Sequence, residues 1–194
     1  MALYQQLGRQ SSVFDYKKDF EYFAQVDSAL CIRYPGSEAV KDLNKKVTQI
    51  REMMKVEIGS PAPPIVLPDI NGKPVALAEL KGKLVLLGFW ASWSEASVAE
   101  NKSLLNLYNK YHPKGFEVYL VSLDRSRESW LQTIQNEKAG WINVSDLAYW
   151  DSPAVKLYRV ESLPANYLID GNGIIIARNI MGRELEQKLT EILH

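Results

Sequence analysis

The run Leu84-Val85-Leu86-Leu87-Gly88-Phe89-Trp90 is apolar throughout. A strand with one wet face alternates apolar and polar residues, so an unbroken run of strand length predicts a strand covered on both faces. Such a strand needs a sheet with helices packed on each side, which confines the fold to the α/β class. The run ends at Ala91, far short of the roughly 20 apolar residues that cross a bilayer, so no membrane-spanning helix is expected.

The rest of the chain supplies what that strand requires. A helical pattern follows it through Leu104, Leu105, Tyr108 and Tyr111. Residues 116–123 read as a second buried strand, and 128–137, 152–158 and 184–193 as helices. Residues 65–67 and 74–77 flank Asn71-Gly72, and 167–169 and 174–176 flank Asp170-Gly171-Asn172-Gly173, so each pair predicts a hairpin. The expected order is hairpin, strand, helix, strand, two helices, hairpin, helix.

Upstream the pattern changes. Residues 14–32 place Phe14, Phe20, Phe23, Val26 and Leu30 near helical spacing, and 37–54 do the same with Val40, Leu43, Val47, Ile50 and Met54. Tyr34-Pro35-Gly36-Ser37 separates them, which predicts an α-helical hairpin with Ser37 as an N-cap. Gly59-Ser60-Pro61-Ala62-Pro63-Pro64 interrupts regular structure, since proline removes backbone donors and restricts the residue before it. The expected division is a helical segment at 1–58, read as the tail of a larger N-terminal domain, and a main domain at 59–194.

Composition narrows function mainly by exclusion. With 194 residues, 46% of them hydrophobic, the chain can bury one full core plus an extension. Lysine plus arginine and aspartate plus glutamate balance at 23 each, with no basic stretch interleaved with aromatics, so nucleic acid is not an expected partner. Met1 to Gln6 lack the basic start and apolar stretch of a secretory signal, which fits a cytoplasmic chain or an exported one already trimmed. Cys31 is the single cysteine and falls on the apolar face of the first helix, where packing as a small hydrophobe is the expected role. Two histidines and one cysteine at unrelated positions predict no metal site, and no cofactor is expected.

Three segments carry a resemblance to a known family. The stretch from Leu80 to Trp93 is similar to the lead-in to the W-C-x-x-C site of TlpA/ResA-like thiol-disulfide oxidoreductases. Val121-Ser122-Leu123-Asp124 is similar to the strand after that family's site helix. Glu161-Ser162-Leu163-Pro164-Ala165-Asn166-Tyr167-Leu168-Ile169-Asp170 with Gly173 resembles its cis-proline strand and following hairpin. The match spans about two thirds of the chain in the family's order. It implies a thioredoxin fold, an AhpC/TSA-type domain, and a periplasmic or cell-envelope setting.

The departure lies at the chemical centre, where the resemblance implies Cys-x-x-Cys and this chain has Ser94-Glu95-Ala96-Ser97. In the family a thiolate attacks the substrate disulfide and a second thiol resolves the mixed disulfide. Serine does neither, because a helix terminus contributes only about 1 kcal/mol, far too little to ionise an alcohol near neutral pH. Ser97 and Glu100 read instead as a Ser-x-x-Glu capping box. Glu100 aligns with a glutamate that helps tune thiol protonation in the family, and Gly88 stands where thioredoxins carry a buried acid. A hydrolytic serine would need a base, yet His112 lies roughly 27 Å from Ser94 at helical rise and His194 ends the chain.

Leu163-Pro164 resembles the family's cis-proline turn, which reads either as a turn constraint or as a peptide-binding edge. Trp93 corresponds to the tryptophan flanking the site at the surface, whereas Trp90, Trp130, Trp141 and Trp150 read as core or rim. The leading expectation is a redox-inactive thioredoxin-like module binding a peptide or protein at Trp93, Ser94, Leu163 and Pro164. Two alternatives stand beside it: an active oxidoreductase in a Cys-to-Ser form, and an architectural role for the N-terminal helices.

Overall fold

The computed structural model describes residues 6–7, 11–12, 19–138 and 140–193. The chain forms two compact units, Met1–Lys55 and Val56–His194. In the first, β1 (Gln6–Leu7) pairs antiparallel with β2 (Ser11–Ser12), and α1 (Phe20–Arg33) and α2 (Glu38–Met54) form a helical hairpin. Phe20, Phe23, Leu43 and Val47 meet in its core, as the helical spacing requires. Phe14 lies outside the described residues.

Cys31 departs from the expected packing role. It is only half-buried, and its thiol donates to Asp27 Oδ1 at 3.5 Å, while Asn44 Nδ2 donates to Asp27 Oδ2 at 2.9 Å. Burial and the neighbouring Asp27 carboxylate raise the thiol's pKa, which disfavours the reactive thiolate. The apolar periodicity located the helix face correctly but could not show that Asp27, one turn earlier, lies buried beside it.

The second unit opens with β3 (Val66–Pro68) and β4 (Pro74–Ala76), an antiparallel hairpin. Its turn closes because Asp69 Oδ1 accepts from the backbone N–H of Asn71 at 2.8 Å and of Lys73 at 2.9 Å. Gly72 takes φ +81°, the left-handed region open to glycine. The central sheet follows as β5 (Leu84–Trp90), β6 (Phe116–Ser122), β7 (Ile142–Val144), β8 (Ala165–Ile169) and β9 (Ile175–Arg178), in spatial order β7-β6-β5-β8-β9. The β5–β6 and β6–β7 pairs are parallel, and the β5–β8 and β8–β9 pairs antiparallel.

All seven residues of β5 are buried, and its side chains alternate between two cores. Val85, Leu87 and Phe89 join Tyr119, Val121, Tyr167 and Ile169 on one face, covered by α5 (Pro153–Tyr158) through Ala154, Val155 and Tyr158. Leu84, Leu86 and Trp90 join Val118, Leu120 and Leu168 on the other. That face is covered by α3 (Glu95–Tyr111), α4 (Arg127–Glu137) and α6 (Gly182–Ile192). The two-sided covering expected from the apolar run is present, and the architecture is the thioredoxin fold preceded by an α-helical hairpin. Strand β7 was absent from the expected order. It is three residues long and owes its place to pairing with β6 and to a bridge between Asp69 and Val144, neither of which leaves a local pattern.

Candidate functional site

The parallel strands β5 and β6 end side by side, Trp90 opposite Ser122. Just past these ends Leu123 N–H donates to Trp90 O at 2.8 Å. Asp124, only 2% exposed, then receives the turn that leaves β5. Its carboxylate accepts from Ser92 N–H at 3.1 Å, from Ser92 Oγ at 2.6 Å and from Ser122 Oγ at 2.7 Å. Every one of these donors is buried or half-buried, so the carboxylate fixes the backbone immediately before Trp93 and Ser94.

Ser94 is the N-cap of α3, with an extended backbone, and its Oγ accepts from Ser97 N–H at 3.3 Å. Such a cap contributes about 1 kcal/mol. The expected box between Ser97 and Glu100 is therefore displaced by one turn: the cap is Ser94. Ser97 is fully buried, and its hydroxyl donates to Ser94 Oγ at 2.9 Å. Glu95 and Ala96 are exposed in the first turn. Ser94 Oγ thus accepts from both the hydroxyl and the backbone N–H of Ser97. His112 lies at the far end of α3, where Nδ1 contacts Phe116 O at 3.0 Å, and His194 lies outside the described residues.

Glu100 sits half-buried one turn further along α3, with the backbone N–H of Gly182, at the start of α6, directed at its carboxylate. Burial raises its pKa above the ordinary value, and the Gly182 hydrogen bond opposes that only in part. A carboxyl with a raised folded pKa adds stability at low pH that is lost as pH climbs from the unperturbed range, ~4.3, through the raised value. Glu100→Gln is therefore expected to unfold at a higher temperature than the parent at about pH 7, with the difference gone by about pH 4. Thermal unfolding followed at both pH values checks this.

The second part of the site comes from β8. Ala165 pairs with Phe89, so the preceding Leu163-Pro164 peptide, which is cis, stands at the same end of the sheet as Trp90 and the turn to α3. Leu163 packs against the core on the α5 side of the sheet. Trp93 is 50% exposed, whereas Trp90, Trp130 and Trp141 are buried and Trp150 is half-buried. The sheet register thus places Trp93, Ser94, Leu163 and Pro164 at the same end of the sheet. Among the described residues no group of His, Cys, Asp and Glu has the arrangement of a metal site.

Sequence reasoning passed over three residues here. Asp124 was within a recognised segment, but its role depends on the parallel pairing that brings it to Ser92. Tyr149 packs on Trp93 with ring centroids 5.4 Å apart, and the Arg125 guanidinium lies 4.5 Å from the Tyr149 ring. Tyr149 holds φ +59°, an uncommon backbone state for a non-glycine residue.

Fold and site together define a thioredoxin-like domain with a cis-proline turn at the same end of the sheet as a capped helix start. Residues 58–178 match the AhpC/TSA family. The chain is 32% identical over 139 residues to the thiol-disulfide oxidoreductase ResA of Bacillus thuringiensis subsp. konkukian, covering 72% of this chain and 78% of that one. A thiol-disulfide oxidoreductase from Bacteroides fragilis superposes with a TM-score of 0.65 at 35% identity, covering 69% of this chain and 100% of its own. The thioredoxin domain of a thiol-disulfide oxidoreductase from Bacteroides vulgatus gives 0.65 at 31% identity, covering 71% and 99%. The chain belongs to the AhpC/TSA family, in its TlpA/ResA-like branch of thiol-disulfide oxidoreductases.

Proposed function

We propose that this is a redox-inactive member of the branch, which binds an extended peptide or protein segment at Trp93, Ser94, Leu163 and Pro164 without turning it over. The carrying observation is that hydroxyls stand at both positions of the site: the buried Ser97 donates to Ser94 Oγ at 2.9 Å, and Ser94 Oγ caps α3. Neither offers the two-electron chemistry of a thiol pair. Around them stand an exposed tryptophan, a turn held by Asp124, and a cis-proline turn at the same end of the sheet, features suited to contact with an extended segment. Glu100 keeps the place of the branch's acid, with its proton-tuning role replaced by contact with α6. The same reading divides the chain into a segment at 1–58 and a thioredoxin-like domain at 59–194, and its setting is the periplasm or cell envelope. No helix among the described residues is long and apolar enough to cross a membrane.

The test is retention of peptides from a random nonapeptide library on the immobilised protein, compared with Trp93→Ala. Selective retention that Trp93→Ala abolishes is the expected result. Equal retention by both proteins contradicts the groove. The alternative, a Cys-to-Ser form of an active enzyme, draws on the same pair of serines, and restoring the thiols separates the two readings.

A further inference from the structure

Arg125 is exposed at the edge of the site and has an unusual disposition for a surface arginine. Its guanidinium is held 4.5 Å from the centroid of Tyr149, and Tyr149 in turn packs on Trp93. Trp150 meets Tyr149 edge-on at 6.1 Å, which braces the ring from another direction. A guanidinium held over a ring in this way is restrained while its N–H donors stay available. Among the described residues Arg125 makes no ion pair and no side-chain hydrogen bond. Asp124 is buried under Ser92 and Ser122, Asp146 accepts from Ala148 N–H and Ser152 Oγ, Asp151 faces Lys156 at 3.9 Å, and Arg127 donates to Ile70 O.

A pre-positioned, unpaired guanidinium one ring away from an exposed tryptophan fits a particular ligand chemistry. We propose that the groove prefers a peptide bearing a carboxylate, which Arg125 receives in its fork while an apolar neighbour in the peptide covers Trp93. Guanidinium matches carboxylate geometry bidentately, and a stacked arginine loses little further freedom on binding. This rests on the groove reading above and names the ligand class it takes.

The nonapeptide library, read by position, decides the matter. Enrichment of aspartate or glutamate at one position is expected on the unmodified protein, lost in Arg125→Gln and only partly kept in Arg125→Lys, which has charge but no planar fork. A single acidic peptide from the enriched pool should bind at least about tenfold more tightly than its glutamine counterpart. Selection without acidic enrichment, or enrichment that survives Arg125→Gln, overturns this inference and leaves the groove standing. No selection relative to Trp93→Ala overturns both.

Discussion

Asp124→Ala is expected to lower stability by about 3 kcal/mol, the larger of the costs that a single truncation near the site can impose. The carboxylate is 2% exposed and is the common acceptor for Ser92 N–H, Ser92 Oγ and Ser122 Oγ. Removing it strands the Ser92 N–H, which cannot re-aim, whereas the two hydroxyls can rotate toward other acceptors. Asp124→Asn keeps one acceptor oxygen and should cost about half as much. Denaturant midpoints at constant m-value measure both. Because Ser92 leads directly into Trp93 and Ser94, the alanine variant should also weaken peptide binding before it unfolds. A stability change within ~0.5 kcal/mol would show that the carboxylate does not hold the turn.

Gly88→Asp is expected to cost about 4 kcal/mol, enough to leave a marginal domain largely unfolded. Gly88 lies in the middle of β5, paired with Leu120 on one side and Asn166 on the other. A Cβ added there would stand 2.5 Å from Leu120 Cδ2, so the leucine side chain must move even for alanine. An aspartate would add a buried charge with no partner. The Asn166 amide beside it is already engaged with Ile180, donating at 2.8 Å and accepting at 3.1 Å. Gly88→Ala should cost about 1–3 kcal/mol from overpacking alone. The end of the Leu120 side chain takes the space beside Gly88, and it must turn aside before an acid can stand there.

Sequence legibility followed the range of the interactions concerned. Strands β5 and β6 were readable because each residue is buried and the apolar run says so locally. Both hairpins were readable from Asn71-Gly72 and Asp170-Gly171-Asn172-Gly173, whose turns are closed by the aspartates at 69 and 170 within four residues. The cis peptide before Pro164 was carried by resemblance rather than by any local rule. Strand β7 and the Asp124–Ser92 contact were not readable, since both arise only when segments distant in sequence pair in the sheet. The cap was misplaced by a turn because Ser94 and Ser97 each head a plausible start, and only the extended backbone at Ser94 distinguishes them. Cys31 shows the same limit, its thiol being set by a buried Asp27 that helical periodicity treats as a solvated residue. The Trp93–Tyr149–Arg125 stack joins three loops and leaves no spacing to find.

The most direct measurement is reduction of an inter-chain protein disulfide, followed by precipitation of the released chain, for the unmodified protein and for Ser94→Cys combined with Ser97→Cys. The unmodified chain is expected to show no rate above reductant alone, because two hydrogen-bonded hydroxyls cannot accept the disulfide's sulfur. Turnover by the restored pair alone would mark the loss of thiols as the sole chemical change at an otherwise competent site. Turnover by the unmodified chain would contradict the assignment of a redox-inactive groove.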